Sequence, residues 1–136
     1  MAVAQKSLSI NTHSRMETRD ITIEVGHFVR ETGFTAGMLF VHCPHATAAV
    51  FLNENEPGLQ RDILGMVKRL VPHADDYEHN AIDDNAAAHL GAILVGNSVS
   101  VPIAGSSLCC GTWQQIFLLE LDGPRRRDVN LVLMGE

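Results

Sequence analysis

Three things are scarce in this sequence: positive charge, pairable cysteine and long apolar runs. Lys and Arg number 10 against 16 Asp and Glu, for a net charge of −6 with histidine neutral. Non-specific nucleic-acid binding needs a basic face that neutralises phosphates, so the balance argues against a nucleic-acid partner. The three cysteines, Cys43, Cys109 and Cys110, are odd in number and include no CxxC pair, which argues against a zinc ribbon or a dithiol redox motif. Two of them are adjacent, and a bond between neighbours is strained, so three free thiols in a reducing compartment are expected. No run approaches the roughly 20 apolar residues of a membrane span. The opening Met1-Ala2-Val3-Ala4-Gln5-Lys6 lacks an apolar signal core, and the cytoplasm is the expected location. Walker, GxGxxG and GxSxG patterns are also missing.

What is present suits a folded domain. Apolar residues make up 46% of 136 residues, which is against disorder, and the length fits one domain over residues 1–136. Leu8 and Ile10 alternate with Ser7 and Ser9, predicting a strand over Val3–Thr12. Thr18 or Asp20 can cap a following helix with Ile21, Val25, Phe28 and Val29 on one stripe, stopped at Gly33. Met38-Leu39-Phe40-Val41 predicts a strand buried on both faces, interrupted by Cys43-Pro44-His45 and resumed over Thr47–Leu52. Pro57 opens a helix to Leu70, with Leu59, Ile63, Met66, Val67 and Leu70 expected inside and Pro72 ending it. Residues His73–Asp84 read as a polar loop, and Asn85–Val95 as a helix ending at Gly96. Strands are expected at Val99–Ile103, Leu108–Cys110, Thr112–Leu121 and Asp128–Met134. Strands joined by short turns favour antiparallel pairing, so the class is α+β rather than doubly wound.

Seven histidines are the chemical signal. His42 and His45 straddle Pro44, His79 lies in the polar loop, and His89 sits in the helix after Asp83, Asp84 and Asn85. Imidazole binds borderline metals when neutral and phosphate when protonated. Asp83, Asp84 or Asn85 are placed to supply the outer partners that fix a histidine's tautomer. Asn85 and His89, four apart on a helix, share a face. No zinc spacing such as HExxH occurs. His13, His27 and His73 read as solvated, and His45 has a purely structural alternative: capping the strand break made by Pro44.

Other residues carry weaker signals. Glu54 or Asp83 are candidate general bases for a metal-activated water. Glu56, just before Pro57, is explained by the helix N-terminus alone. Arg125-Arg126-Arg127 is the only basic run; guanidinium suits phosphate, yet a solvated turn explains at least one of the three. Trp113, the only tryptophan, is expected in the core or at a subunit interface rather than stacked on substrate.

Taken together, several segments resemble one family. His42-Cys43-Pro44-His45-Ala46-Thr47-Ala48-Ala49 looks like its HCPHTTAA segment, and Asn53-Glu54-Asn55-Glu56-Pro57 like its NENxDP segment. Tyr77-Glu78-His79, the stretch from Asp83 to His89, Gly111-Thr112-Trp113-Gln114-Gln115-Ile116-Phe117, Glu120 and Asp122-Gly123-Pro124-Arg125 follow in order. The chain thus resembles the YjbQ-like, or secondary thiamine-phosphate synthase-like, proteins over nearly its whole length. Two departures are mild: Ala46 stands where threonine is usual, and Gln115 replaces a glycine. The resemblance implies a two-sheet β-sandwich of about seven strands and a homotrimer. It also implies a pocket near a subunit interface where His45, His79 and His89 converge. The implied activity is formation of thiamine phosphate from a pyrimidine pyrophosphate and a thiazole phosphate. A phosphorylated small molecule is the expected substrate, with Arg125 or Arg126 assisting and Glu54, Asp83 and Asn85 beside the reaction. Magnesium prefers oxygen ligands, so a divalent cation held by imidazoles would be zinc before magnesium. A metal-assisted hydrolase and a non-enzymatic metal or metabolite binder are the other classes open.

Overall fold

The computed structural model describes every residue from Met1 to Glu136. In chain order the elements are β1 (Ala2–Asn11), β2 (Glu17–Asp20), α1 (Thr22–Thr32), β3 (Ala36–His42), β4 (Ala48–Asn53), α2 (Pro57–Leu70), α3 (Ala86–Val95), β5 (Ser98–Ala104), β6 (Ser107–Leu108), β7 (Gln115–Glu120) and β8 (Arg126–Gly135). A single turn of 3-10 helix, Glu78–Ala81, lies between α2 and α3.

Alternation builds the larger sheet. Leu8 and Ile10 of β1 and Val129, Leu131 and Leu133 of β8 are buried, with more exposed residues between them. Their register, from Ala2 opposite Gly135 to Asn11 opposite Arg126, puts these residues on one face. The antiparallel order is β1-β8-β3-β5-β6; a second antiparallel sheet has the order β2-β7-β4. The class is α+β, as expected, but with eight strands rather than about seven.

The layers follow from which faces are apolar. The inner face of the large sheet packs on α1, through Val25, Phe28 and Val29, and on Val50, Ile116 and Leu118 of the small sheet. The opposite face of the small sheet, Ala49 and Leu119, packs with Leu121 on Val67 of α2 and on Ala88 and Ala92 of α3. Strand β7 is therefore buried on both faces, which explains its unbroken apolar run.

Local chemistry sets the helix ends. Asp20 Oδ1 accepts from Thr22 N at 2.9 Å at the start of α1, and Gly33, at φ 71°, closes it in the left-handed region. Pro57 occupies the first turn of α2, and the Glu56 carboxylate accepts from Leu59 N at 2.8 Å. No helix is long and apolar enough to cross a membrane.

Several expectations need correcting. Strand β3 buries only Leu39 and Val41, while Met38 and Phe40 point outward. It is one outer layer of the stack and has cover on one side only. In α2 only Val67 is buried, and Met66 and Leu70 are exposed, because the small sheet is too narrow to cover the whole apolar stripe. Strand β7 begins at Gln115, not Thr112, and Trp113 is 71% exposed rather than in the core. The short strand near 108 spans Ser107–Leu108 and does not reach Cys110. Strand β2, Glu-Thr-Arg-Asp, has no apolar signal and exists through its pairing with β7. Its Thr18 therefore lies in a strand and caps no helix.

Candidate functional site

The site residues fall into two regions joined by a buried polar bridge. In the first, the 3-10 turn presents His79 to the start of α3. The rings of His79 and His89 meet edge to face, with centroids 4.8 Å apart. His79 Nε2 lies 3.0 Å from Asn85 Oδ1, and Asn85 Nδ2 donates to Asp122 Oδ2 at 2.9 Å. An amide that donates through nitrogen offers its oxygen as acceptor, so His79 donates Nε2–H. Neutral His79 then carries a bare lone pair on Nδ1. Of the three residues beside α3 able to orient a histidine, Asn85 takes that task. Asp83 instead turns its carboxylate back to Asp84 N at 2.8 Å.

Asp122 also holds arginines. Arg125 donates through Nε to the Asp122 carbonyl at 2.8 Å and through Nη2 to Oδ2 at 3.0 Å, leaving Nη1 uncommitted. Arg15 Nη2 sits 4.0 Å from Asp122 Oδ1, 3.2 Å from His73 Nδ1 and 3.3 Å from the Asp84 carbonyl, tying the polar loop to the frame. His73, read as solvated, has that one polar neighbour. The turn at Asp122 needs Gly123, since a Cβ there would collide with the Ser14 carbonyl, Glu120 Cγ and Thr12 Oγ1.

The second region centres on His45. Strand β3 pairs with β8 as far as His42 opposite Asn130, after which Pro44 breaks the ladder. His45 Nε2 then accepts from Asp128 N at 2.9 Å, so the imidazole supplies the acceptor the strand no longer does. The structural alternative foreseen for His45 is what the chain does. Burial lowers the pKa of His45, the Arg127 guanidinium lowers it further, and Asp128 opposes.

Between the regions lies the bridge. Glu120 and Arg127 are fully buried and ion-paired. The Glu120 carboxylate also accepts from Thr12 Oγ1 at 2.7 Å, Leu121 N at 3.0 Å and Asp122 N at 3.0 Å. Arg127 Nη2 donates to the Thr47 carbonyl at 3.0 Å and to its hydroxyl at 2.9 Å. Burial pushes the Glu120 pKa up, but bonds from Arg127, Asp122 N and Thr12 outweigh it and hold the carboxyl below the usual range. One end of the bridge fixes the Asp122 turn, and the other fixes the loop carrying His45.

Of the basic run, then, Arg127 is neither a solvated turn nor a free clamp, Arg125 is held by Asp122, and Arg126 is exposed beside Asp128. Sequence reasoning missed Glu120 and Arg127 as a pair. The available signal was a lone acid closing the apolar run Ile116-Phe117-Leu118-Leu119, since a buried acid needs a partner.

The three candidate histidines are only partly gathered. His79 and His89 line a shallow surface pocket with Tyr77, Glu78, Ala86 and Leu90, whereas Glu54 and Asp83 do not line it. Within one chain no three His, Cys, Asp or Glu side chains are placed to hold a metal ion. Two imidazoles are present for such an ion, and His45 has its Nε2 committed to Asp128. The cysteines are unpaired, with Cys43 buried and its thiol pKa raised mainly by burial.

Comparison with known proteins gives this arrangement a family. Residues 6–136 match the family described as UPF0047 protein YjbQ-like. A UPF0047 protein of Methanothermobacter thermautotrophicus is 43% identical over 136 residues, covering 100% of this chain and 95% of the relative. One from Archaeoglobus fulgidus is 46% identical over 122 residues, covering 90% and 94%. The crystal structure of a YbjQ-like protein from Sulfolobus solfataricus superposes with a TM-score of 0.97 at 40% identity, covering 99% of each chain. The chain therefore belongs to the UPF0047 family of YjbQ-like proteins.

Proposed function

We propose that the chain acts on a phosphorylated small molecule at the His79–His89 pocket, in a reaction of the thiamine-phosphate synthase type. The observation that carries this reading is the run of hydrogen bonds from His79 through Asn85 to Asp122. It fixes the ring and the tautomer of a surface histidine and leaves Nδ1 able to take a proton or, once protonated, to hold a phosphate oxygen. The same carboxylate orients Arg125, whose free Nη1 suits departing pyrophosphate. The test is pyrophosphate release from the pyrimidine pyrophosphate when the thiazole phosphate is supplied. Activity lost in His79→Ala and Asn85→Ala supports the reading; activity absent from the wild type, or retained in both variants, removes it.

A second reading is favoured by that same bare Nδ1. An imidazole whose other nitrogen donates to a carbonyl is oriented as metal ligands are. His79 and His89 would then supply two ligands to a zinc ion, with further ligands from another subunit, and a metal-assisted hydrolase becomes the activity. The pH trend separates the readings: zinc leaves as pH falls through the histidine range, while phosphate binds more tightly.

We also propose a homotrimer. Apolar side chains are exposed at opposite ends of the layer stack, with Met38, Phe40 and Met134 on the outer face of the large sheet and Leu90, Ile93 and Leu94 on α3. A cyclic trimer joins two different faces of neighbouring copies, which two such patches suit. Light scattering should give three times the 14.8 kDa chain mass, and a monomer at micromolar concentration would refute it.

A further inference from the structure

We infer that His45 is a fixed Nδ1–H donor for an oxyanion of the ligand, and not a ligand to a metal ion. The argument starts from Asp128 N, which can only donate. Its bond to His45 Nε2, at 2.9 Å, requires an unprotonated Nε2. Neutral imidazole has one N–H, so that hydrogen sits on Nδ1. A metal at Nδ1 would need both ring nitrogens to offer lone pairs, which is imidazolate. A metal at Nε2 would displace the Asp128 N–H and orphan a strand amide.

The donor faces outward. No buried side-chain nitrogen or oxygen in the chain lacks a hydrogen-bond partner, and His45 Nδ1 has none, so Nδ1 reaches solvent. The ring is held by its Nε2 bond to Asp128 N, and the loop that carries it is anchored nearby. Thr47, two residues on, is held by Arg127 through both its carbonyl and its hydroxyl, and Arg127 is itself locked to Glu120. The charged groups around the ring are Arg127, Asp128 and Glu120. Two carboxylates against one guanidinium leave no net positive field there, so the solvent-facing N–H would serve the oxygen of a phosphate or a carboxylate as an oriented hydrogen-bond donor, not as a charge.

The identity of the oxyanion rests on the phosphorylated-substrate reading, whereas the tautomer does not. Long-range proton–nitrogen NMR of the histidine rings reads both. In the free protein at neutral pH, His45 should show a protonated Nδ1 and an unprotonated, hydrogen-bonded Nε2; the reverse tautomer overturns the inference. Inorganic phosphate should shift His45 Nδ1, and zinc alone should move His79 and His89 while leaving His45 in place. Zinc moving His45 into a ligated position overturns the inference. If phosphate moves His79 and His89 but not His45, the donor role falls and the proposed pocket stands. If His45 moves and the other two do not, the pocket falls and the donor role stands.

Discussion

His45 and His79 are both half-exposed or exposed histidines hydrogen-bonded through Nε2, yet their supports differ in kind. His45 accepts from a strand amide, and its loop is pinned by a fully buried ion pair. His79 donates to a single amide from a 3-10 turn in a polar loop, held to the frame by Arg15 and Asn85. One imidazole is part of the sheet; the other hangs from it. Rigid placement comes from burial and many satisfied partners, whereas a residue with one partner can move as a ligand arrives. The pair teaches that the same residue type reads as frame or as working group according to which nitrogen is occupied and by what.

The largest expected effect removes the frame. Arg127→Ala leaves Glu120 buried without its charge partner and should cost about 3–5 kcal/mol, read by urea unfolding. A cost below about 1 kcal/mol would mean the bridge does not brace the His45 loop. In contrast, Asn85→Ala leaves Asp122 short of one donor and His79 of its only acceptor, a smaller loss of about 1–3 kcal/mol. Its ring NMR should show His79 freed to exchange tautomers while His45 is unchanged; movement of both would merge the two regions into one unit.

Acid should separate the regions further. The folded-state pKa of Glu120 lies below its ordinary value of 4.5, so its contribution is complete above that pH and is lost as pH falls through the folded value. For His45 the folded value lies below 6.5, so the unfolded chain takes a proton first and stability starts to fall below pH 6.5. His45→Ala should flatten the stability profile just below 6.5 and leave the lower limb intact. An unchanged slope there would show that burial and the Arg127 guanidinium do not hold the ring neutral. The smallest effect belongs to Arg126, whose side chain is 69% exposed. Arg126→Ala should change stability by no more than about 0.5 kcal/mol.

Much of the fold was legible because alternation and helix punctuation are local. Leu8 and Ile10 marked β1, Gly33 the end of α1, and Pro57 the start of α2. The errors came where neighbours decide. Met38 and Phe40 looked like core in a short apolar run but face outward, since nothing in the run says how many layers will cover it. Strand β2 carried no signal because its reason for existing is β7. At the site, the Pro44 break and the role of Asn85 beside a histidine were readable. The pairing of Glu120 with Arg127, across a turn with Thr12 and Thr47 brought from far along the chain, was not.

By itself the sequence determined the α+β class, most element positions, the family and a short roster of histidines, because these rest on periodicity, turn chemistry and segment matching. Only the tertiary structure decided which nitrogen each histidine commits. That choice depends on a backbone amide of β8 meeting the loop after β3, and on a carboxylate after β7 meeting the first residue before α3. Such meetings are set by how sheets stack, and no local pattern encodes them.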